Sequence, residues 1–192
     1  MRLFNAVVTP VVLYGSASWT MTHVREQKLK ATQRKMLRTI LGKGRRILNA
    51  SDVESGSTAD SAASDHAEAL ESWVEWVQRV TREATAAMSK AGVPDWSEEQ
   101  QRRKWRWCGH TCRRLDSRWS TALLKHMPIR GHRCRGHPFS RWSDDLEFFL
   151  TGALHLQERA DYGTVRQMAE SRDGWANLEG DFVAYCVARK WQ

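Results

Sequence analysis

No stretch of this chain alternates apolar and polar residues as a half-buried β-strand does, whereas several stretches repeat with the period of a helix. The clearest stretch follows Thr22, a typical helix N-cap, and closes at Gly42, a typical helix terminator. Basic side chains cover the remainder of this predicted helix. The chain is therefore predicted to be all-α. The residues that fall near one face of the helix are Val24, Leu29, Gln33, Met36, Leu37, Ile40 and Leu41.

One further helix is predicted before this helix and one after it. Leu3 to Tyr14 is apolar on most faces, which favours a buried helix kinked or broken near Pro10, although its β-branched valines leave a strand open. Asp65 and Glu68 resemble a capping box that opens a long helix, and Gly92 closes it. The apolar face predicted for the long helix consists of Leu70, Trp73, Val74, Val77 and Val80.

The second half of the chain is also predicted to be helical. Ser97 and Gln100 form a second candidate capping box, for a helix that carries "RRKWRWCGHTCRRL". Glycine and proline mark residues 128–138 as a loop. The remaining predicted helices are Trp119 to His126, about Ser140 to Leu150, Thr164 to Ser171 and Asp173 to Arg189.

The chain is predicted to consist of two helical parts joined by a linker. Residues 49–66 are rich in Ser, Ala and Asp without a hydrophobic period, which is typical of a flexible linker. The linker separates a helical segment at residues 1–48 from a small C-terminal helical module at residues 67–192.

Charge is distributed in alternating blocks along the chain. The total is +8 among 192 residues, which indicates a polyanionic partner. Residues 1–48 carry ten Lys/Arg and one acid, and residues 102–142 carry twelve Lys/Arg and one acid. The intervening residues 49–101 carry three Lys/Arg and eleven acids. This pattern predicts basic surfaces at defined places.

The cysteines and histidines of the second basic block raise the question of zinc. Thiolates and imidazoles are the ligands that zinc prefers, but C-x-H-x-C and H-x-C-x-x-H match no common zinc spacing. Buried structural cysteines are the favoured alternative, so neither a metal nor a cofactor is expected. The residues in question are Cys108, His110, Cys112, His132, Cys134 and His137.

Catalysis by this chain alone is also disfavoured. His110 and His137 with Asp144 and Asp145 could be imagined as a metal-dependent nuclease site. Adjacent carboxylates on a helix point in different directions, and the start of a helix explains both aspartates. The sequence contains no phosphate-binding loop, nucleophile elbow or H-E-x-x-H motif.

Nucleic-acid binding has the strongest physical support, because the basic blocks interleave arginine with aromatic residues and glycine. Trp105, Trp107 and Trp142 are expected to belong to the core rather than to stack on bases. The partner is predicted to be RNA, DNA or an RNA–DNA hybrid bound through phosphates, with no membrane involved. The residues predicted to bind it are Lys28, Arg34, Lys35, Arg38, Arg102, Arg103, Lys104, Arg106, His110, Arg113, Arg114, Arg130, Arg133, Arg135, His137 and Arg141.

Three blocks of the sequence resemble LINE-type (non-LTR) retrotransposon reverse transcriptases. "VVLYGSASWTMTHVREQKLKATQRKMLRTILG" is similar to the segment after the palm, and "RRKWRWCGHTCRRLDSRWSTALLKHMP" with "RGHRCRGHPFSRWSDDL" to a downstream region. "ESRDGWANLEGDF" resembles the closing stretch of that family. The residues in register include Tyr14-Gly15, Trp19, Leu37-Arg38, Gly109-His110, Arg135-Gly136, Pro138, Arg141-Trp142 and Asp145.

This resemblance implies a thumb segment followed by a helical extension along the RNA template and its DNA product. It implies a nuclear protein that is not secreted, with a cytoplasmic ribonucleoprotein as the alternative. The Tyr-x-Asp-Asp aspartates of the family's palm are missing, so no polymerase activity is expected. Cys108, Cys112 and His137 depart from the family pattern, which further disfavours zinc. An inert remnant of a transposon is the alternative to a nucleic-acid-binding fragment.

Overall fold

The structure is a computed structural model that describes residues 1–48, 69–114, 116, 118–125, 141–152 and 162–188. It confirms the all-α prediction. The helices are α1 (Thr9–Val12), α2 (His23–Leu41), α3 (Trp73–Lys90), α4 (Trp96–Cys112), α5 (Trp119–Lys125), α6 (Asp144–Gly152), α7 (Tyr162–Glu170) and α8 (Arg172–Ala188). A π-helical turn, Phe4–Val8, precedes α1, and a 3-10 turn, Ser16–Ser18, follows it. The strands β1 (Ile47–Leu48) and β2 (Ala69–Leu70) form a single short antiparallel pair.

The chain divides into two compact units. Unit 1 comprises Met1–Arg2 and Ala31–Val93, and unit 2 comprises Leu3–Lys30 and Pro94–Gln192. The linker predicted at residues 49–66 lies outside the described residues. The domain boundaries predicted from the sequence stay predictions.

Local capping chemistry defines α2 as the sequence predicts. The hydroxyl of Thr22 accepts a hydrogen bond from the backbone N–H of Arg25 at 3.4 Å. Gly42 has φ +60°, a left-handed conformation that only glycine adopts without strain, and the helix ends one residue before it. The structure therefore confirms both ends of this helix.

The start of α3 differs from the prediction. Asp65 and Glu68 lie outside the described residues. The capping box is instead Ser72 with Glu75, whose two reciprocal hydrogen bonds measure 3.2 and 3.1 Å. Leu70, predicted within the helix, lies in β2 because its strand pairs with β1. The same capping chemistry thus acts at a position closer to the apolar run.

The start of α4 also differs from the prediction. Asp95 is the N-cap, and its carboxylate accepts hydrogen bonds from the backbone N–H groups of Ser97 and Glu98. Ser97 and Gln100 are buried and serve tertiary contacts instead. The Ser97 hydroxyl donates to Glu26 at 3.2 Å, and the Gln100 amide donates to a backbone carbonyl at 3.1 Å.

The N-terminal segment is helical with an irregularity close to Pro10, as predicted, but the prediction of a buried helix is wrong because Leu3, Val11 and Tyr14 are exposed by 79, 71 and 85 %. The π-helical turn changes into α1 at Thr9, and Pro10 occupies the first turn of α1. Proline is tolerated there because the first N–H groups of a helix have no partner within the helix. The chain leaves the helix at Gly15, which has φ +64°.

The later helices lie close to their predicted positions. α5 begins at Trp119 as predicted, whereas His126 lies outside the described residues. α6 begins at Asp144 rather than near residue 140. The cause is local, because the Asp144 carboxylate accepts the backbone N–H of Arg141 at 2.8 Å. Asp144 and Asp145 therefore stand in the first turn of a helix, as the helix-dipole argument requires.

The core of unit 2 forms where α4 packs on α8. Trp105 and Trp175 stack with ring centroids 3.9 Å apart, and the indole N–H of each donates to the backbone carbonyl of the other. Cys108 and Cys112 are buried in this core, as predicted. Among the described residues, those buried in this core are Trp105, Cys108, Cys112, Leu146, Phe149, Leu150, Ala169, Trp175, Phe182, Val183 and Cys186.

The other two tryptophans of this region are only partly buried. Trp107 and Trp142 contact each other edge to face, with centroids 5.2 Å apart. The indole N–H of Trp142 donates to the carbonyl of Ala17 at 2.7 Å, and its ring packs against the core. The prediction of core positions is confirmed fully for Trp105 and in part for these two residues.

The predicted apolar faces of α2 and α3 are partly wrong. Val24, Ile40, Trp73 and Val74 are exposed by 60, 51, 64 and 58 %. Gln33, Leu37 and Val80 are buried as predicted. Glu26 and Ala84 are also buried, although the prediction left them out. The helical period therefore identifies part of each buried face but does not show which apolar residues the fold leaves exposed.

Gly109 is the position at which this core tolerates no side chain. A Cβ atom there would come closer than 3.0 Å to the Trp175 ring, which cannot move without breaking the stacked pair. We therefore expect Gly109→Ala to reduce the free energy of unfolding by about 1–3 kcal/mol, measured by urea titration.

Gly180 in α8 provides the matched control, because a Cβ there meets open space. Gly180→Ala should raise the free energy of unfolding by about 0.5–1 kcal/mol through helix propensity. Equal effects of the two substitutions would contradict the packing described for Trp175.

Candidate nucleic-acid interface

The arginines of α4 are held by acidic partners. Arg102 and Arg103 form ion pairs with Glu98 and Glu99, one turn earlier in the helix, at 3.1 and 3.0 Å. Arg106 forms two hydrogen bonds of 2.7 Å with the carboxylate of Glu179 in α8. These pairs neutralise much of the positive charge that the sequence assigns to this block.

Lys104, predicted to bind phosphate, is not at the surface. Its side chain is 0 % exposed, and its ammonium lies 2.7 Å from the carboxylate of Asp145. The ammonium also stands 4.9 Å from the centre of the Trp142 ring, a cation–π contact. A buried charge needs a partner of opposite charge, so Lys104 has a structural role. The prediction that Lys104 binds phosphate is therefore wrong.

The remaining predicted residues of this region are scattered. Arg113 donates to the carbonyl of Ala169 at 2.9 Å, and Arg114 lies 3.9 Å from the carboxylate of Asp116. His110 is exposed and Arg141 is half-buried. The predicted binding residues that lie outside the described residues are Arg130, Arg133, Arg135 and His137.

Unit 1 carries most of the uncompensated charge in the described part of the chain. Its described residues contain ten Lys/Arg and three Asp/Glu, a net charge of +7. The described residues of unit 2 contain fourteen Lys/Arg and twelve Asp/Glu, a net charge of +2. The candidate interface therefore belongs to unit 1.

An open groove of about 550 Å³ lies along α3 and is called here the arginine groove. Among the described residues, neither Arg34 nor Arg82 has an ion-pair partner, and both are exposed. Two guanidinium groups beside several hydroxyls match the acceptors of a phosphate backbone. The residues that line the groove are Arg34, Thr81, Arg82, Thr85, Ala86 and Ser89.

A second groove, of about 390 Å³, lies toward the N-terminus of α3 and is called the tryptophan groove. Trp73 is 64 % exposed, and its ring centroid is 6.5 Å from that of Trp76 at an interplanar angle of 51°. The indole N–H of Trp76 donates to the carbonyl of Lys43 at 2.9 Å. The residues that line the groove are Lys35, Arg38, Thr39, Gly42, Lys43, Trp73, Trp76 and Val77.

Arg38 joins the two grooves. It lines the tryptophan groove, and its guanidinium donates at 3.0 Å to the hydroxyl of Thr81, which lines the arginine groove. A hydrogen bond therefore links the linings of the two grooves, which together extend along α3 from Trp73 to Ser89 as a strip of about 24 Å along the helix axis. Lys28, also predicted as a binding residue, is exposed on α2 within unit 2.

A network of ion pairs holds the chain after α2 against α3. The guanidinium of Arg79 contacts the carboxylate of Glu71 at 2.7 Å and the carbonyl of Gly44 at 3.1 Å. Lys43 pairs with Glu83 at 2.5 Å. The hydrogen bond from Arg79 lowers the pKa of the Glu71 carboxyl to about 2, against the opposing effect of desolvation.

The described residues do not assemble a metal or nuclease site. They contain no group of three or more His, Cys, Asp or Glu side chains that could hold a metal ion. The carboxylate of Asp145 forms an ion pair with the buried Lys104, so it has a structural role rather than the catalytic role imagined for it with His110. The Sγ atoms of Cys108 and Cys112 are 4.0 Å apart, and this hydrogen bond lowers the pKa of the Cys112 thiol. The same hydrogen bond, together with burial, raises the pKa of the Cys108 thiol, which stays neutral. The neutral thiol is a poor metal ligand.

Comparison with known proteins finds a distant relative. The chain is 25 % identical over 151 residues, 79 % of its length, to an uncharacterized transposon-derived protein of Caenorhabditis elegans. It spans 44 % of the length of that relative. No protein-family model and no solved structure matches the chain.

Within the described residues, no helix is both long enough and apolar enough to cross a membrane.

The sequence alone predicts some residues of the candidate interface and leaves others out. It named Arg34, Lys35 and Arg38, which line the two grooves. It missed Arg82 because the acidic total of residues 49–101 hides the local charge of α3. It placed Trp73 on a buried face because aromatic residues with helical period usually pack inward. The interleaving of Trp and Arg in "WVEWVQRVTR" was the available signal.

The Glu71–Arg79 pair predicts how stability depends on pH. A carboxyl with a lowered folded pKa stabilises the fold above its unfolded pKa of about 4.3, and this contribution is lost as the pH falls toward 2. We expect the wild-type free energy of unfolding to fall more steeply between pH 4.5 and 2 than that of Glu71→Gln. Urea titrations at a series of pH values measure this difference.

Arg79→Met is the companion variant, because it removes the partner and leaves the carboxyl. It should flatten the same part of the pH profile. A steep loss that persists in both variants would contradict the role assigned to the pair.

Proposed function

We propose that this chain binds RNA, DNA or an RNA–DNA hybrid, mainly through phosphate contacts made by unit 1. The observation that carries the proposal is the net charge of +7 on the described residues of unit 1, with two unpaired arginines in one groove. A polyanion is the partner that such a surface attracts.

We propose further that the chain derives from a transposon and is a thumb and C-terminal fragment of a non-LTR retrotransposon reverse transcriptase. Two observations support this origin: the transposon-derived relative, and the three sequence blocks that resemble the family in the same order. On this proposal the fragment has no catalytic centre of its own. It acts in the nucleus, with a cytoplasmic ribonucleoprotein as the alternative.

The binding mechanism follows from the chemistry of the grooves. Arginine and lysine side chains replace the cations condensed on a nucleic acid, and the released counterions drive association. Phosphate contacts of this kind orient the partner without reading its sequence. The strip of about 24 Å has room for about seven nucleotides at the rise of a duplex strand.

The paired arginines of α4 contribute less in this scheme. A phosphate that approaches Arg102 or Arg106 must compete with a carboxylate already in place. Arg130, Arg133, Arg135 and His137, outside the described residues, remain predicted contacts.

The unpaired and paired arginines can be compared directly. Replacing Arg34 and Arg82 with alanine should weaken binding to a single-stranded oligonucleotide about tenfold at ~0.1 M salt. It should reduce the slope of log K against log salt by about one to two units, because two phosphate contacts are lost. Fluorescence anisotropy at a series of salt concentrations measures both quantities.

The control is the double variant Arg102→Ala and Arg106→Ala, which removes the same charge from ion-paired positions. Its slope should change by less than about half a unit. An equal loss of slope in the two double variants would assign binding to total charge alone. Wild-type protein that does not bind at all would leave the inert transposon remnant as the better account.

A further inference from the structure

We propose that the tryptophan groove is a stacking site for an unpaired nucleobase, so that unit 1 prefers single-stranded RNA or DNA to a closed duplex. This inference rests on the proposed function and adds the class of nucleic acid. The feature that carries it is Trp73, an exposed aromatic ring set among cations.

Trp73 is exposed by 64 % although it occupies a fixed position in the fold. It is the first residue of α3, directly after the Ser72–Glu75 capping box that anchors the start of the helix. A tryptophan can bury about 150–250 Å², so leaving this ring in water forgoes a large stabilisation. Its backbone is ordered by the cap, which lets the ring receive a ligand with little further loss of entropy.

The neighbouring Trp76 supports Trp73 without stacking on it. The hydrogen bond from Trp76 to the carbonyl of Lys43 fixes the Trp76 ring in the floor of the groove. The two rings are inclined by 51° rather than parallel, so Trp76 does not occupy a face of Trp73 by stacking. A base has a flat π-face of its own and can use that surface whatever its identity.

The charges around the ring identify the occupant. The eight lining residues include Lys35, Arg38 and Lys43 and no acid. Among the described residues, Lys35 is exposed and has no ion-pair partner. An aromatic platform flanked by cations matches a nucleotide, which presents a base and a phosphate together. An apolar protein segment would leave the Lys35 ammonium desolvated without an ion-pair partner among the described residues.

The path of the strand beyond the base is set by the arginine groove. Arg38 borders Trp73's groove and bonds to Thr81 in the next one, so a strand stacked at Trp73 can run its phosphates along α3 toward Arg82. A base inside a duplex is stacked on both sides and cannot reach the ring. The platform therefore discriminates strandedness, whereas the arginine groove supplies affinity for either form.

The test compares three variants on three probes. Trp73→Ala removes the platform, Trp73→Phe keeps an aromatic face, and Trp119→Ala removes a tryptophan of unit 2 that is 84 % exposed. The probes are a labelled single strand of about ten nucleotides, the same strand in a closed duplex, and an abasic strand of equal length. Circular dichroism establishes that each variant is folded.

We expect Trp73→Ala to weaken binding of the single strand by about 5- to 100-fold. Its effect on the duplex and on the abasic strand should be less than about twofold, because neither offers a free base to the ring. Trp73→Phe should recover most of the lost affinity, and Trp119→Ala should bind like the wild type.

The following results would overturn the inference. Equal losses on the base-containing and abasic strands would show that Trp73 acts through the fold, and normal binding by Trp73→Ala would leave its ring as a surface for a protein partner. If Trp73→Ala binds normally while the Arg34 and Arg82 variant does not, the proposed function stands and the stacking site fails. If the wild type binds none of the probes, both proposals fail together.

Discussion

The reciprocal pairing of Trp105 and Trp175 is the interaction on which unit 2 depends. Each indole donates its N–H to the carbonyl of the other residue, and the stacked rings join α4 to α8. Gly109 makes the close approach possible because it has no side chain. With this face of α4 buried, Lys104 lies inside the unit, where the carboxylate of Asp145 and the ring of Trp142 make its charge tolerable. The helix α4, which contains three arginines and three tryptophans, therefore has mainly a structural role.

This arrangement changes how the charge of the chain is understood. Along the sequence, residues 102–142 form the most basic block. In three dimensions, acids from the same helix and from α8 face its arginines, as the pair of Arg106 with Glu179 illustrates. In unit 1, acids of the same unit pair with Arg79 and Lys43. Among the described residues, Arg34 and Arg82 have no ion-pair partner, so the arginine groove keeps its charge. The proposed function is therefore placed on unit 1, where these two arginines have no ion-pair partner among the described residues.

The sequence predicted what local chemistry determines. Thr22 and Gly42 define α2 because a cap and a left-handed glycine act within a few residues of themselves. It could not predict that Lys104 is buried, because its partner Asp145 is 41 residues away. The sequence also could not predict that Trp73 is exposed. The helical period shows that a face is apolar, but it does not show whether another part of the fold covers that face. The candidate site was predicted only for α2, where exposure and charge coincide.

The proposed function requires that nucleic acid binds to unit 1. The most direct measurement is photo-crosslinking of the full chain to a photoreactive single-stranded oligonucleotide, followed by mass spectrometry of the attached peptides. We expect crosslinks in two segments of unit 1. One is residues 31–46, which include the end of α2 and the chain just after it, and the other is Trp73–Lys90 of α3. Crosslinks confined to α4 and α8, with none on these two segments, would contradict it.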